Sequence, residues 1–364
     1  MSASSVQGRL GYLDWLRGVT VLVMIEAHCF DAWTRPDEKA RVAYGWLMVL
    51  GGMAAPGFLF MAGIAVALGV AAHMRRGRSS VEAARLVERR GWQIFVFAFV
   101  FRLQSYTLGG FSNAAGMLKV DILNIMGPAI VAAACVWRVP GNRLRRAVVL
   151  ACGAALVAVA TPAIRDAGWL SAWPDPLEWY FRPDPGKGTF TVFPWAAFVL
   201  AGAVAGLALD GGRRWTPWRL HAAVAVVGVA LVASSYWASG RPPLFPTARF
   251  WTTSPAFFAL RVGVLVVSVA LAWLWSVRPW PLLTAGRPLE VLGVGSLFVY
   301  WVHVELAYGG ATLPLRRQLT LEQAAVAWMA FTAGMYLLLL GWNRLGPVRA
   351  RFRESFLNPW LSKA

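Results

Sequence analysis

Long apolar segments recur along the whole chain and constrain its fold more than any other feature. Each is about 20 residues long, the length that an α-helix needs to cross the hydrocarbon core of a bilayer. The composition agrees, because 58% of the 364 residues are hydrophobic and only 14% are charged, whereas soluble domains carry about 25% charged residues. The sequence therefore predicts an all-α, polytopic membrane protein, a bundle of transmembrane helices that forms a single domain over residues 1–364.

Hydropathy divides the chain into ten predicted spans. They cover roughly residues 15–33, 45–73, 91–110, 119–137, 146–164, 191–209, 219–238, 255–276, 289–308 and 323–342. The longest connecting segments, 165–190 and 239–254, are rich in proline and aromatic residues and are predicted to be loops outside the cytoplasm. The aromatic residues of 165–190 suit either an interfacial belt or a platform on which a sugar stacks.

Basic residues alternate between the two sides of this span pattern. The N-terminal segment, every second loop and the C-terminal segment together carry 22 of the 35 Arg and Lys residues. Because cytoplasmic segments are enriched in Arg and Lys, both termini are predicted to be cytoplasmic. The net charge of +18 then reflects topology and contact with anionic lipid rather than binding of nucleic acid.

Polar side chains concentrate in the predicted outer half of the bundle. The first span places His28 and Asp31 on one helical face, and the ninth span places Tyr300 and His303 on another. Ionisable groups inside a membrane usually face a bundle interior or a wet cavity. Further polar residues are predicted at the same depth in three other spans: Arg102, Gln104, Asp121, Asn124 and Arg261.

These residues suit acid–base chemistry at an outward-facing cavity. Two histidines and a carboxylate fit general acid–base work near neutral pH, so His28, Asp31 and His303 are the predicted catalytic residues. The other polar residues, with Tyr300, are the predicted substrate-binding residues. A structural alternative stays open, in which His303 only bonds a neighbouring helix and Arg102 and Asp121 form an ion pair between adjacent helices.

Four stretches resemble the heparan-α-glucosaminide N-acetyltransferase-like family of multipass acyltransferases. The first is LDWLRGVTVLVMIEAH in the first span, and the others are KVDILNIMGPA from Lys119, FPWAAFVLAGAVAG from Phe193 and GSLFVYWVHVEL from Gly295. The family is often described with eleven spans, which implies that one helix is missing from the ten or hidden among them.

The resemblance implies the substrates. It implies an acyl-CoA donor, typically acetyl-CoA, bound from the cytoplasmic side of a bacterial inner membrane, and an extracytoplasmic, carbohydrate-like acceptor with an amine or hydroxyl group. Arginine matches phosphate geometry, so cytoplasmic arginines are the predicted donor-binding residues, namely Arg75, Arg76, Arg78 and Arg143. Topology alone is the alternative explanation for each arginine. A homodimer is a further possibility, and no Cys/His spacing indicates a metal site.

The histidine pattern departs from that of the lysosomal family member. In that protein the proposed catalytic histidine follows the first span, whereas no histidine lies between His28 and His73 in this sequence. His28 stands where the lysosomal member has an asparagine. Bacterial sequences that resemble this one also place a histidine at the end of the first span, which favours His28 as the functional equivalent.

Two other function classes remain open at this point. A proton-coupled transporter or channel could use the same outer cavity, with His28 and Asp31 carrying protons. Such proteins often show internal repeats and broken helices, and the sequence indicates neither. A membrane scaffold without catalytic activity is the third class.

Overall fold

A computed structural model describes residues 10–108, 114–184, 186–188, 190–243, 245–277 and 286–346. In these residues the regular structure is helical, with three isolated β-bridges and no strand, which confirms the all-α prediction. The α-helices are α1 (Gly11–Trp33), α2 (Val42–Gly51), α3 (Ala54–Arg75), α4 (Ser80–Leu108), α5 (Ile122–Cys135), α6 (Arg143–Arg165), α7 (Asp175–Glu178), α8 (Val192–Gly211), α9 (Pro217–Ser239), α10 (Pro255–Val277), α11 (Gly286–Val294), α12 (Ser296–Tyr308) and α13 (Leu321–Arg344).

Six described segments are long and apolar enough to cross a membrane, or seven if a bent helix pair counts as one span. The six are Val42–Arg75, Arg143–Arg165, Val192–Gly211, Pro217–Ser239, Pro255–Val277 and Leu321–Arg344. The remaining predicted spans also coincide with helices, but α1 and α4 carry charged residues within their apolar stretches and α5 has only 14 residues. The multipass membrane character is confirmed. The count of ten spans and the cytoplasmic termini stay predictions, and residues 1–9 and 347–364 lie outside the described part.

The chain divides into two compact units, of which the first comprises Met1–Ala54 and Pro279–Ala364. In this unit α1 packs against α2, α11, α12 and α13. Contact with α11 is close: a Cβ atom built on Gly18 would lie 1.9 Å from the carbonyl oxygen of Leu289. Only glycine permits this approach of two backbones, as is common between membrane helices.

Hydrogen bonds tie the end of α1 to both sides of the connection between α12 and α13. The indole Nε1 of Trp33, a fully buried side chain, donates to the carbonyl of Ala307 at 3.1 Å. The backbone N–H of Leu319 donates to the carbonyl of Trp33 at 3.0 Å. The last two turns of α1, which carry His28 and Asp31, are therefore fixed against the end of α12.

Helices α11 and α12 meet at a sharp break. Pro288–Val294 and Ser296–Tyr308 are bent by 86° relative to each other, with Gly295 between them. A Cβ atom on Gly295 would lie 2.5 Å from the Leu339 side chain, so α13 packs against the corner. The bend turns α12 onto α1 and so positions His303.

The second unit, Ala55–Arg278, is built from packed helix pairs. Helices α4 and α5, α6 and α8, and α9 and α10 form its most extensive contacts. In addition α8 crosses α3, where a Cβ atom on Gly202 would lie 2.0 Å from the carbonyl oxygen of Phe60, and Gly206 faces Ile64. The Gly202/Gly206 spacing thus serves helix packing.

Two arginines organise the described part of the loop 165–190. Arg165 donates to the carbonyl of Phe193 at 2.9 Å, and Arg182 donates to the carbonyl of Ala167 at 2.6 Å. The rings of Trp169 and Trp173 lie 5.4 Å apart beside this framework, and both are substantially exposed. An exposed aromatic pair on a fixed loop is compatible with both roles that the sequence leaves open for it.

Candidate active site

Two predicted catalytic histidines meet in the first unit. His28 on α1 and His303 on α12 are 275 residues apart in the chain, yet His28 Nδ1 lies 2.7 Å from His303 Nε2. Their ring planes differ by 17°. His303 is completely buried, whereas His28 is partly accessible. Of the two imidazoles, His28 is therefore the one that a substrate can reach.

The hydrogen bonds of the pair fix which nitrogen carries each proton. His303 Nδ1 lies 2.8 Å from the carbonyl oxygen of Val299, and a carbonyl can only accept, so Nδ1 of neutral His303 is protonated. Its Nε2 then holds a lone pair and accepts from His28 Nδ1–H. In the neutral pair the remaining lone pair lies on His28 Nε2. Val299 and His303 therefore hold His28 with a lone pair on Nε2, which is the arrangement that a general base requires.

The third predicted catalytic residue, Asp31, binds other partners. Its carboxylate accepts from the Tyr308 hydroxyl at 3.0 Å and from Lys39 Nζ at 3.2 Å, and Lys39 also donates to its backbone carbonyl at 2.6 Å. The Tyr308 ring lies edge-on to His28, with 5.6 Å between the ring centroids. Tyr308 thus connects Asp31 to the histidine pair, because its hydroxyl binds Asp31 and its ring lies against His28. Tyr300, a predicted substrate-binding residue, lies 6.1 Å from the His303 ring.

The polar residues predicted near residues 102–124 meet in the second unit. Arg102 Nη2 lies 3.2 Å from Asp121 Oδ2, and both side chains are largely buried. This contact is an ion pair without hydrogen-bond geometry, since the same oxygen has no hydrogen-bond partner among the described residues. The predicted ion pair between adjacent helices α4 and α5 is therefore present.

Asp121 and Asn124 also cap helix α5. Asp121 Oδ1 accepts from the backbone N–H of Leu123 at 2.9 Å, and Asn124 Oδ1 accepts from the backbone N–H of Asp121 at 2.9 Å. This reciprocal capping box satisfies backbone donors at the start of α5. The capping role explains why both residues are polar without any reference to a substrate.

The two other predicted substrate-binding residues lie on different helices of the second unit. The Arg261 guanidinium on α10 stacks over Phe257, with 4.0 Å from its carbon to the ring centroid. Its Nε has no hydrogen-bond partner among the described residues. Gln104 lies half-buried near the end of α4. Arg261 thus offers N–H donors to an anionic or carbonyl oxygen.

The predicted donor-binding arginines divide into two groups. Arg75 and Arg143 both bind Asp210, at 2.6 Å and 3.1 Å, and so join α3, α6 and α8. Arg76 and Arg78 are exposed between α3 and α4. Because one carboxylate faces two guanidiniums, the Asp210 cluster keeps a net positive charge that can attract phosphate.

The sequence did not identify Lys39 and Tyr308 as the partners of Asp31. Lys39 lies on a single 3₁₀ turn, Glu38–Ala40, outside every predicted span. Tyr308 falls five residues after His303, off the stripe that carries Tyr300 and His303. One signal in the sequence could have identified Tyr308, since it ends the apolar run and tyrosine is common at membrane interfaces.

Comparison with known proteins agrees with the motifs in the sequence. The model of the family described as heparan-alpha-glucosaminide N-acetyltransferase, catalytic, matches residues 9–236. The match includes His28 and the Arg102–Asp121 cluster, while His303 lies beyond it. No curated protein sequence matches the chain. Because the matched region exceeds half of the 364 residues, the chain belongs to the heparan-alpha-glucosaminide N-acetyltransferase family, and its expected activity is that of a membrane acetyltransferase.

Proposed function

We propose that the protein moves an acyl group, typically acetyl, from cytoplasmic acyl-CoA to a sugar amine or hydroxyl on the other side of a bacterial inner membrane. Membership in an acetyltransferase family supports the reaction class. The observation that carries the proposal is the hydrogen-bonded chain from the Val299 carbonyl through His303 to His28. This chain leaves a lone pair on Nε2 of His28, which is the partly accessible histidine of the two.

His28 acts as general base in the proposed reaction. Its Nε2 takes the proton from the acceptor amine or hydroxyl while the acceptor attacks the thioester carbonyl carbon. A C–N or C–O bond forms, the C–S bond breaks, and the proton passes from His28 to the departing thiolate. The same lone pair could instead attack the thioester and carry the acyl group as an acyl-histidine.

His303 positions His28 and supports its charged form. When His28 gains a proton, its Nδ1–H continues to donate to His303 Nε2, so the imidazolium forms without any change of tautomer. His303 itself is buried and does not touch a substrate in this scheme.

The exposed arginines hold the phosphates of the donor. Arg76 and Arg78 lie in the turn after α3. Arg75, at the end of α3, and Arg143 both bind Asp210.

The decisive experiment measures acetyl transfer from acetyl-CoA to a panel of amino sugars by purified protein in detergent. His28→Gln keeps a polar side chain without an imidazole, so turnover should fall by about 10²–10⁴ while the protein stays monodisperse. Radiolabelled acetyl-CoA, incubated with the protein without acceptor and then removed by rapid gel filtration at neutral pH, distinguishes the two routes, because an acyl-histidine leaves label on the protein and direct transfer does not. Normal turnover by His28→Gln would contradict the proposal.

One observation favours the proton-coupled transporter as a second candidate. The 86° break between α11 and α12 lies eight residues before His303, and transporters often build substrate sites at broken helices. Proteoliposomes separate the two functions: proton-driven uptake of a sugar without any acetyl transfer would support the transporter.

A further inference from the structure

An apolar pocket lies in the first unit, on the other side of α1 from the histidine pair. It is a groove of about 520 Å³ between α1, α2 and α13, within the range of single-ligand pockets, about 300–1,000 Å³. Its walls are apolar and include Val23, Phe30, Leu47, Leu50 and Trp328. Half of the Leu50 surface is exposed, so the groove is open along one side.

A carboxyl group without a partner lies in this apolar wall. Glu26 is 97% buried, since only 3% of its surface is exposed. Neither of its carboxyl oxygens has a hydrogen-bond partner among the described residues. Burying a carboxyl group without a partner is strongly unfavourable, and ionisable groups within membrane helices usually mark a functional site. Glu26 therefore points to a ligand that supplies a hydrogen-bond donor.

The charged residues at the mouth of the groove are already paired with each other. Arg41 Nη1 donates to Glu38 and to Glu322, both at 2.7 Å. The hydrogen bond from Arg41 holds the pKa of Glu38 below its usual value. Among the described residues that line the groove, Arg41 is the single cation, whereas Glu26 and Glu322 are acids. This balance disfavours an anionic head group and favours an amine or a hydroxyl.

We propose that the groove binds one amphiphile, whose apolar chain lies between α1, α2 and α13 and whose amine or hydroxyl donates a hydrogen bond to Glu26. Apolar walls hold the chain, and the acceptor oxygens of Glu26 select the head group. The proposal is independent of acyl transfer, because Glu26 and His28 face opposite sides of α1.

Photolabelling of the full-length protein in detergent tests this site. The probes are hexadecylamine, hexadecanol and palmitate, each with the same diazirine in its chain, and mass spectrometry locates the labelled residues. The amine and the alcohol should label α1, α2 and α13 saturably, with an apparent affinity about tenfold higher than that of palmitate. The reason is that the carboxylate of palmitate cannot donate a hydrogen bond to Glu26.

Variants separate a built site from ordinary lipid contact. Glu26→Leu should lower labelling by the amine and the alcohol about tenfold, to the level of palmitate. Val23→Trp should remove labelling of the groove by all three probes, and Val227→Trp, on the exposed face of α9, should leave it unchanged. If Glu26→Leu does not fold, Glu26→Gln and Val23→Trp still test the site.

Two results would overturn the proposal. The first is label spread evenly over the exposed helix surfaces, as bulk lipid would give. The second is equal labelling by the amine and palmitate in both the native protein and the Glu26 variants.

Discussion

At the scale of single residues, the proposed reaction makes His303 a positioning residue rather than a residue that meets substrate. It is fully buried and bonds the Val299 carbonyl on one side and His28 on the other. The pair resembles a base held by an orienting partner, with an imidazole in the place that a carboxylate often takes.

Removing the orienting imidazole should lower kcat more than it changes KM. In His303→Ala, His28 can adopt either tautomer and rotate, so we expect kcat to fall on the order of 10²-fold. Steady-state kinetics with acetyl-CoA measures both constants. His73→Ala, a histidine outside the pair, is the matched control and should keep full activity. A change in KM alone would mean that His303 contributes to binding instead.

Tyr308 and Lys39 both bind the carboxylate of Asp31, and the Tyr308 ring also lies against His28. Tyr308→Phe removes one hydrogen bond to a half-exposed carboxylate, which should cost about 0.5–1.5 kcal/mol in local stability. The Phe ring keeps the edge contact with His28, so turnover should fall less than tenfold.

Asp31→Asn removes the charge that Lys39 binds. If Asp31 is catalytic, this variant should lower turnover more than Tyr308→Phe does. Near-native activity in both variants would mean that Asp31 and Tyr308 have only a structural role.

At the scale of elements, glycines decide how closely the helices approach. Gly18→Val would drive side-chain atoms into the backbone at Leu289, because even a Cβ atom would lie 1.9 Å from that carbonyl oxygen. Overpacking of this kind typically costs about 1–3 kcal/mol. We therefore expect a lower thermal unfolding midpoint in detergent and loss of acetyl transfer, since α1 carries His28.

Gly334→Ala is the control for that substitution. Gly334 lies within α13, and a Cβ atom there has open space around it. Alanine favours a helix over glycine by up to about 1 kcal/mol, so this variant should be as stable as the native protein or more so. Equal midpoints for the two glycine variants would show that the contact between α1 and α11 is not as close as described.

The turn between α3 and α4 is the element that we expect to bind the donor phosphates. Replacing Arg75, Arg76 and Arg78 together by alanine should weaken acetyl-CoA binding about tenfold or more, because hydrogen bonds between charged groups are lost. Isothermal titration in detergent measures the affinity. Arg316→Ala, an exposed arginine just before α13, is the control. Unchanged affinity in a stable triple variant would assign these arginines to topology alone.

At the scale of the whole molecule, the distribution of charge predicts the orientation in the membrane. Because 22 of 35 basic residues fall on one side of the predicted span pattern, both termini should be cytoplasmic. A reporter that is active only outside the cytoplasm should give no signal at either end, and a reporter in the loop 165–190 should give a strong one. A signal from one terminus would indicate an odd number of spans.

The sequence by itself determined the class of the protein, the approximate positions of its long helices and its family. These depend on local properties, namely hydropathy over 20 residues, helical period, charge between spans and short motifs around His28, Asp121 and Phe193. It also selected His28 and His303 as the histidines of interest, because both lie deep in apolar helices.

Only the tertiary structure decided which of these residues meet. The partner of His28 is His303, from a helix near the other end of the chain, rather than Asp31 on its own helical face. The break at Gly295 and the unpartnered carboxyl of Glu26 in its groove were likewise not predictable. Helical periodicity fixes which side chains share a face of one helix. The neighbour across that face depends on how distant helices pack, and no local pattern encodes that packing.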